Sequence, residues 1–145
     1  MRVLGIDYGR RRIGLALSDA SAMLARPWQT IAAGSTPVAS ALLVATIVRD
    51  ADEDTKPEAI VVGLPRRLNG EDTDQTAAAR AFAAALADQS GLRVHLQDER
   101  LTSREAESRL AVRERDWRKR KAKIDAAAAA IILQDFLDAP PVESC

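Results

Sequence analysis

Two short apolar runs, Arg2–Tyr8 (RVLGIDY) and Arg12–Ser18 (RIGLALS), are separated only by Gly9-Arg10-Arg11. Runs of this length, rich in Val, Ile and Leu and broken by glycine, read as strands. Two strands so close in sequence pair as an antiparallel hairpin. A third segment, Leu24–Ile31, contains Pro27. Proline has no N–H to give a ladder, so this segment reads as an edge strand closing an antiparallel meander.

The pattern then changes. Pro37–Asp50 places Val38, Leu42, Ala45 and Val48 or Arg49 at helical spacing, with proline suited to the first turn. Glu58–Leu64 is a nearly continuous apolar run, as in a buried strand. Arg66–Thr73 is a polar loop with an Asn69-Gly70 turn, and Asp74–Gln89 is an alanine-rich helix stopped by Gly91. Leu92–Leu96 alternates apolar and polar residues as a last strand. After Thr102 the sequence predicts a short helix, a basic stretch, and a final helix from about Lys123 to Asp138, ended by Pro140-Pro141. The expected class is α/β: a mixed five-stranded sheet, three antiparallel strands followed by two strand–helix units, with helices on both faces. One domain over residues 1–138 and a frayed tail over 139–145 fit a chain of 145 residues.

Residue usage narrows the chemistry. Cys145 is the only cysteine and His95 the only histidine, which excludes a disulfide framework, a structural zinc site and any reaction needing two imidazoles. No apolar run approaches the ~20 residues of a membrane span, and Met1 leads directly into a strand rather than a signal peptide. A cytoplasmic protein is expected, with carboxylates as its catalytic groups. His95 itself reads as an ordinary strand residue.

Three acids occupy positions where burial disfavours a carboxylate unless something pairs with it. Asp7 lies between Ile6 and Tyr8, Glu99 follows His95-Leu96-Gln97-Asp98, and Asp125 opens the apolar stretch DAAAAAIIL. Convergence on a divalent metal explains all three, and an oxygen-only ligand set favours Mg²⁺ or Mn²⁺. At helical spacing Asp125 shares a face with Ala128, Ala129, Ile132 and Phe136, and the alanines would let its helix approach the sheet closely. Each acid also has a plainer reading: Asp7 as a turn residue and Asp125 as a helix N-cap. The pleat puts Asp98 with Leu96 and Glu99 on the other face, but a bulge would reverse that, so alternation alone does not choose between them.

Four pieces in order now carry a resemblance: Asp7-Tyr8-Gly9-x-x-Arg12-Ile13-Gly14; Val62-Gly63-Leu64-Pro65 with Asn69-Gly70; Asp98-Glu99-Arg100-Leu101-Thr102; and Lys123-Ile124-Asp125 with Ala127-Ala128 and Ile131-Ile132-Leu133. Over about residues 2–138 the chain resembles the YqgF/RuvX family of Holliday junction resolvases and pre-16S rRNA nucleases. The resemblance implies an RNase H-like fold, a metal-dependent nuclease, and Asp7, Glu99 and Asp125 as the metal-binding catalytic acids. It also selects Glu99 over Asp98. A four-way DNA junction is the alternative substrate to pre-rRNA and would require a homodimer with two active sites. A non-catalytic nucleic-acid-binding factor on the same fold is the other alternative. Relatives often carry glycine before the last acid, whereas residues 111–122 contain none, which makes that stretch more helical or shifts it.

The 21 basic and 21 acidic residues balance, yet Arg113–Lys123 (RERDWRKRKAK) holds seven basic and two acidic side chains. Nucleic acid is the partner such a patch suits. Arg10, Arg12 and Arg100, each beside a metal-assigned acid, are expected to hold phosphates, with an ion pair closing the hairpin as the competing role. Arg118, Lys119, Arg120 and Lys121 are expected to draw in the backbone, and Trp117 either stacks on a base or packs on the domain. The stretch lacks a clear apolar face and is expected to be mobile until nucleic acid orders it.

Overall fold

The structure is a computed structural model describing residues 1–67, 69–98 and 117–139, with the backbone alone for 117–124. Its five strands are β1 (Val3–Tyr8), β2 (Arg12–Ser18), β3 (Ala25–Ala32), β4 (Ala59–Leu64) and β5 (Arg93–Asp98). The helices among the described residues are α1 (Pro37–Asp50), α2 (Asp74–Ser90) and α3 (Trp117–Asp138).

The sheet runs β3-β2-β1-β4-β5. β1, β2 and β3 pair antiparallel, while β4 and β5 join β1 in parallel. The expected meander and mixed sheet are therefore present. β3 is an edge strand, as Pro27 implied, and the β2–β3 register shifts between Leu15 and Ala16, where Ala16 faces Pro27. Such an irregularity is where a strand accommodates a residue that cannot donate. The turn before β3 is tied by Asp19, whose carboxylate accepts from Met23 N at 2.8 Å, Leu24 N at 3.2 Å and Ser21 Oγ at 2.7 Å. These donors, the Met23 amide foremost, lower its pKa to about 2.

Strand alternation divides the core into two layers. Leu4, Ile6, Tyr8, Ile13, Leu15, Ile60, Val62 and Leu64 face α1 and α2, where Phe82 stacks on Tyr8 at 4.4 Å. Val3, Ala16, Ala59 and Val61 face α3 and meet Ala129, Ile132 and Leu133. β4 is buried along its whole length, as expected of a strand covered on both faces.

Two local expectations need correction. In α1 the buried positions are Ser40, Ala41, Val44, Ala45 and Val48, while Val38 and Leu42 are more than half exposed. α1 is apolar nearly all round, so spacing did not define which stripe would face the core. The last helix begins at Trp117, six residues before the expected Lys123. Residues 118–123 are all arginine, lysine or alanine, good helix formers, with no glycine or proline to stop propagation. At least residues 117–123 of the basic stretch are therefore helical; the short helix expected after Thr102 lies outside the described residues.

α3 crosses the β1–β2 hairpin at very short range. A Cβ built on Gly14 would overlap the Asp125 carbonyl oxygen, and one on Gly5 would stand 2.6 Å from Leu133 Cβ. The side-chain-free positions on the sheet let helix backbone rest on strand backbone. Gln134 locks the far side, accepting from Ala25 N at 2.9 Å and donating to Met23 O at 3.0 Å. Gly14→Ala should accordingly cost about 3 kcal/mol or more, the upper range for overpacking, in urea denaturation. A loss below about 1 kcal/mol would mean that α3 can lift from the hairpin without cost.

Candidate active site

The carboxyl ends of the parallel strands β1, β4 and β5, together with the β1–β2 turn, form one rim of the sheet. In open α/β sheets this rim is where ligands bind. The hairpin turn is closed by Gly9 N donating to Arg12 O at 3.0 Å. The N-terminus of α2 adjoins it: Arg10 Nε donates to Gln75 Oε1 at 3.0 Å, and Gln75 Nε2 donates to Tyr8 O at 3.2 Å. Thr73 caps α2 in a reciprocal capping box with Thr76, and the Thr76 hydroxyl also donates to Pro65 O.

Asp7 is half-buried on β1, on the face shared with Val3 and Gly5 that looks toward α3. Its cross-strand partner is Gly14, the residue whose Cα lies against the Asp125 backbone. Asp7 and Asp125 are thus brought to the same spot by one glycine. Asp125 is not an N-cap: eight helical residues precede it, so its own backbone needs no side-chain cap. Nor is Asp7 a turn residue, since it lies within the β1–β2 ladder.

Arg12 enters the same spot from the start of β2. Its Nε lies 2.8 Å from Asp125 Oδ2, with the two side chains 33% and 22% exposed. Both atoms are buried, and the contact is one of charge, with angles outside those of a hydrogen bond. Arg12 is thus an ion-pair partner of Asp125, joining the start of β2 to α3.

Asp98 does not join this group. It pairs with Leu64, and Val94, Leu96 and Asp98 share the face of Ile60, Val62 and Leu64, away from α3. Its Oδ2 lies 3.8 Å from Arg66 Nη1, and Arg66 Nε lies 3.1 Å from Asp72 Oδ1. Sequence reasoning missed this loop clamp; the polar run Arg66–Asp72 with its internal charge pair was the available signal. Glu99 and Arg100 lie outside the described residues. Trp117, Arg118, Lys119, Arg120 and Lys121 are placed by backbone alone, in the two turns of α3 before Asp125. Among the described residues no cluster of three or more metal-ligating side chains occurs, and no helix is long and apolar enough to cross a membrane.

The sheet order, the carboxylates at the rim and, among the described residues, two helices on one face and one on the other define an RNase H-like α/β protein. The fold matches that of Thermus thermophilus RuvC, with a TM-score of 0.51 and 17% identity over 94% of each chain. The family described as "RuvX: Holliday junction resolvase" matches residues 1–139, and this chain belongs to it. Similar sequences include one from Pelotomaculum thermopropionicum, 41% identical over 95% of this chain and 87% of the relative. Another, from Anaeromyxobacter sp. Fw109-5, is 43% identical over 95% and 97%. Both are called "Putative pre-16S rRNA nuclease".

His95 is structural, as its sequence position suggested: its ring meets Phe136 at 4.9 Å on the α3 face. Burial, and secondarily the charge of Arg93, lower its pKa from 6.5. The neutral ring is the form that packs, so its contribution to stability is complete above pH 6.5 and is lost as pH falls through the lowered value. The difference in unfolding free energy between wild type and His95→Phe should favour wild type less at pH 5 than at pH 7.5. A pH-independent difference would contradict this.

Proposed function

We propose that this chain is a divalent-metal-dependent endonuclease that hydrolyses phosphodiesters in processing the 5′ end of pre-16S rRNA. The observation carrying the proposal is the convergence of Asp7 and Asp125 at the sheet rim through the Gly14 contact. The donor set fits a hard divalent cation: two carboxylates, partly buried, at a spot that already draws in one positive charge, that of Arg12. Asp7 and Asp125 would hold the metal, with Glu99 as the third acid. The position of Asp98 on the opposite face, clamped by Arg66, favours Glu99 by exclusion. When bound, divalent metal activates water and stabilises the leaving oxygen of a phosphodiester.

The remaining roles belong to the chain's own residues. Water adds to phosphorus and one bridging P–O bond breaks, so the scissile phosphate must be held at the rim while negative charge builds on it. Arg10, exposed beside the hairpin and steadied by Gln75, suits a phosphate contact, as does Arg100 in the motif. Arg118–Lys121 lie four to seven residues before Asp125, about 6–10 Å along the helix axis. Positive charge at that distance offsets the field of the acids and guides the backbone inward. Trp117 at the head of α3 would offer a base a stacking surface.

The names of the relatives favour RNA. The family description favours four-way DNA junctions, and RuvC in complex with a Holliday junction substrate also shares the fold, at a TM-score of 0.50. Cleavage of a pre-rRNA leader, a four-way junction and single strands, side by side in Mg²⁺ or Mn²⁺, separates the readings: the leader should be cut and the others spared. Asp7→Asn keeps shape and removes charge, so cleavage should fall at least a hundredfold with the melting temperature preserved. Undiminished cleavage would remove Asp7 from the site, and no cleavage by wild type would leave a binding factor.

The basic quartet has its own test. Glutamine preserves helix propensity better than serine. Changing Arg118, Lys119, Arg120 and Lys121 together to Gln should weaken RNA binding and flatten its dependence on salt, by roughly 0.7 in log–log slope per lost contact. An unchanged slope would assign these charges to solvent.

A further inference from the structure

Arg12 makes its ion pair with Asp125, one of the two acids assigned above to the metal. We infer that Arg12 competes with divalent metal for Asp125 and must leave that carboxylate before a divalent ion can bind to it. The inference rests on the reading of Asp7 and Asp125 as metal-binding residues.

Three features carry it. The guanidinium is 2.8 Å from Asp125 Oδ2, a separation at which that oxygen is screened from any other cation. The pair is only partly exposed, so water does not fully weaken it, yet its angles miss those of a hydrogen bond. At Arg12 Nε and Asp125 Oδ2, then, no hydrogen bond is lost when another cation takes the place of the guanidinium. Third, the approach of α3 to Gly14 fixes the Asp125 backbone against the hairpin. The carboxylate cannot retreat from Arg12 by moving the helix, so the arginine side chain is the part that moves.

The displaced guanidinium starts from the first residue of β2, at the same rim as Arg10. Once released it lies beside the acids, next to the position a scissile phosphate would take. Metal binding would therefore create a phosphate-binding group, and metal and nucleic acid would each strengthen binding of the other. Arg12 is in this account both a competitor of the metal and a contributor to substrate binding, at successive stages.

Titration of the full chain with Mn²⁺ alone, without nucleic acid, tests this by calorimetry. Arg12→Met should bind Mn²⁺ about tenfold more tightly than wild type, equivalent to about 1.4 kcal/mol. Arg12→Lys, which keeps the charge, should return toward the wild-type value. Mn²⁺ should also raise the melting temperature of Arg12→Met more than that of wild type. Combining Arg12→Met with Asp125→Asn should abolish the gain, since the competition acts through that carboxylate. With Ca²⁺ or Mn²⁺ present, wild type should gain more RNA affinity from the metal than Arg12→Met does. Equal or weaker Mn²⁺ binding by Arg12→Met, when wild type binds and Asp125→Asn does not, overturns the competition alone. Absence of Mn²⁺ binding in every variant overturns it together with the metal-site reading.

Discussion

The contact on which the rest depends is backbone against backbone: the carbonyl of Asp125 over Gly14. The residues assigned to the candidate site gather around it. Gly14 pairs with Asp7 across the hairpin, Asp125 belongs to the helix that lies on it, and Arg12 is two residues before it. A side chain at position 14 would push the helix outward and separate the two carboxylates. The alanines of α3 and the glycines of β1 and β2 therefore serve the site as much as the core. The cost is a helix whose sheet-facing layer buries small side chains near the site, compensated toward its C-terminal half by Ile132, Leu133 and the Gln134 bridge to β3.

Bringing two carboxylates together in a partly buried place is unfavourable unless positive charge accompanies them. Arg12 supplies that charge to Asp125. On the other face, Asp98 and Asp72 receive theirs from Arg66, with Arg80 Nη2 3.9 Å from Asp72. The rim is thus built from two separate sets of acids, one at each face of the sheet. The Arg66 set ties the end of β5 to the loop after β4. The Arg12 set is the one lying against α3, where an exchangeable cation has a chemical use.

Much of this was legible in the sequence. The hairpin from Arg2 to Ser18, the edge strand marked by Pro27, the buried β4 and the glycine-stopped α2 all rest on short-range rules, and all are present. What was not legible depended on tertiary choices. The helical spacing of Val38, Leu42 and Ala45 gave α1 but not its buried side, because α1 is apolar on several sides and only packing decides which is covered. Asp125 looked like a helix start because the residues before it are polar. Polarity does not end a helix when the residues are alanine, lysine and arginine. The purpose of Gly5 and Gly14 was hidden for a related reason: a glycine's missing side chain matters only once the partner helix is known. The choice between Asp98 and Glu99 was open in alternation and is narrowed by the observed register of β5, which puts Asp98 away from α3.

The most direct test of the central claim is where a metal sits. Crystals of the full chain equilibrated with Mn²⁺, measured at the manganese absorption edge, should show anomalous density between the carboxylates of Asp7 and Asp125, with the Arg12 guanidinium turned away from Asp125. Density elsewhere, or none while Arg12 still contacts Asp125 at saturating Mn²⁺, would contradict the account.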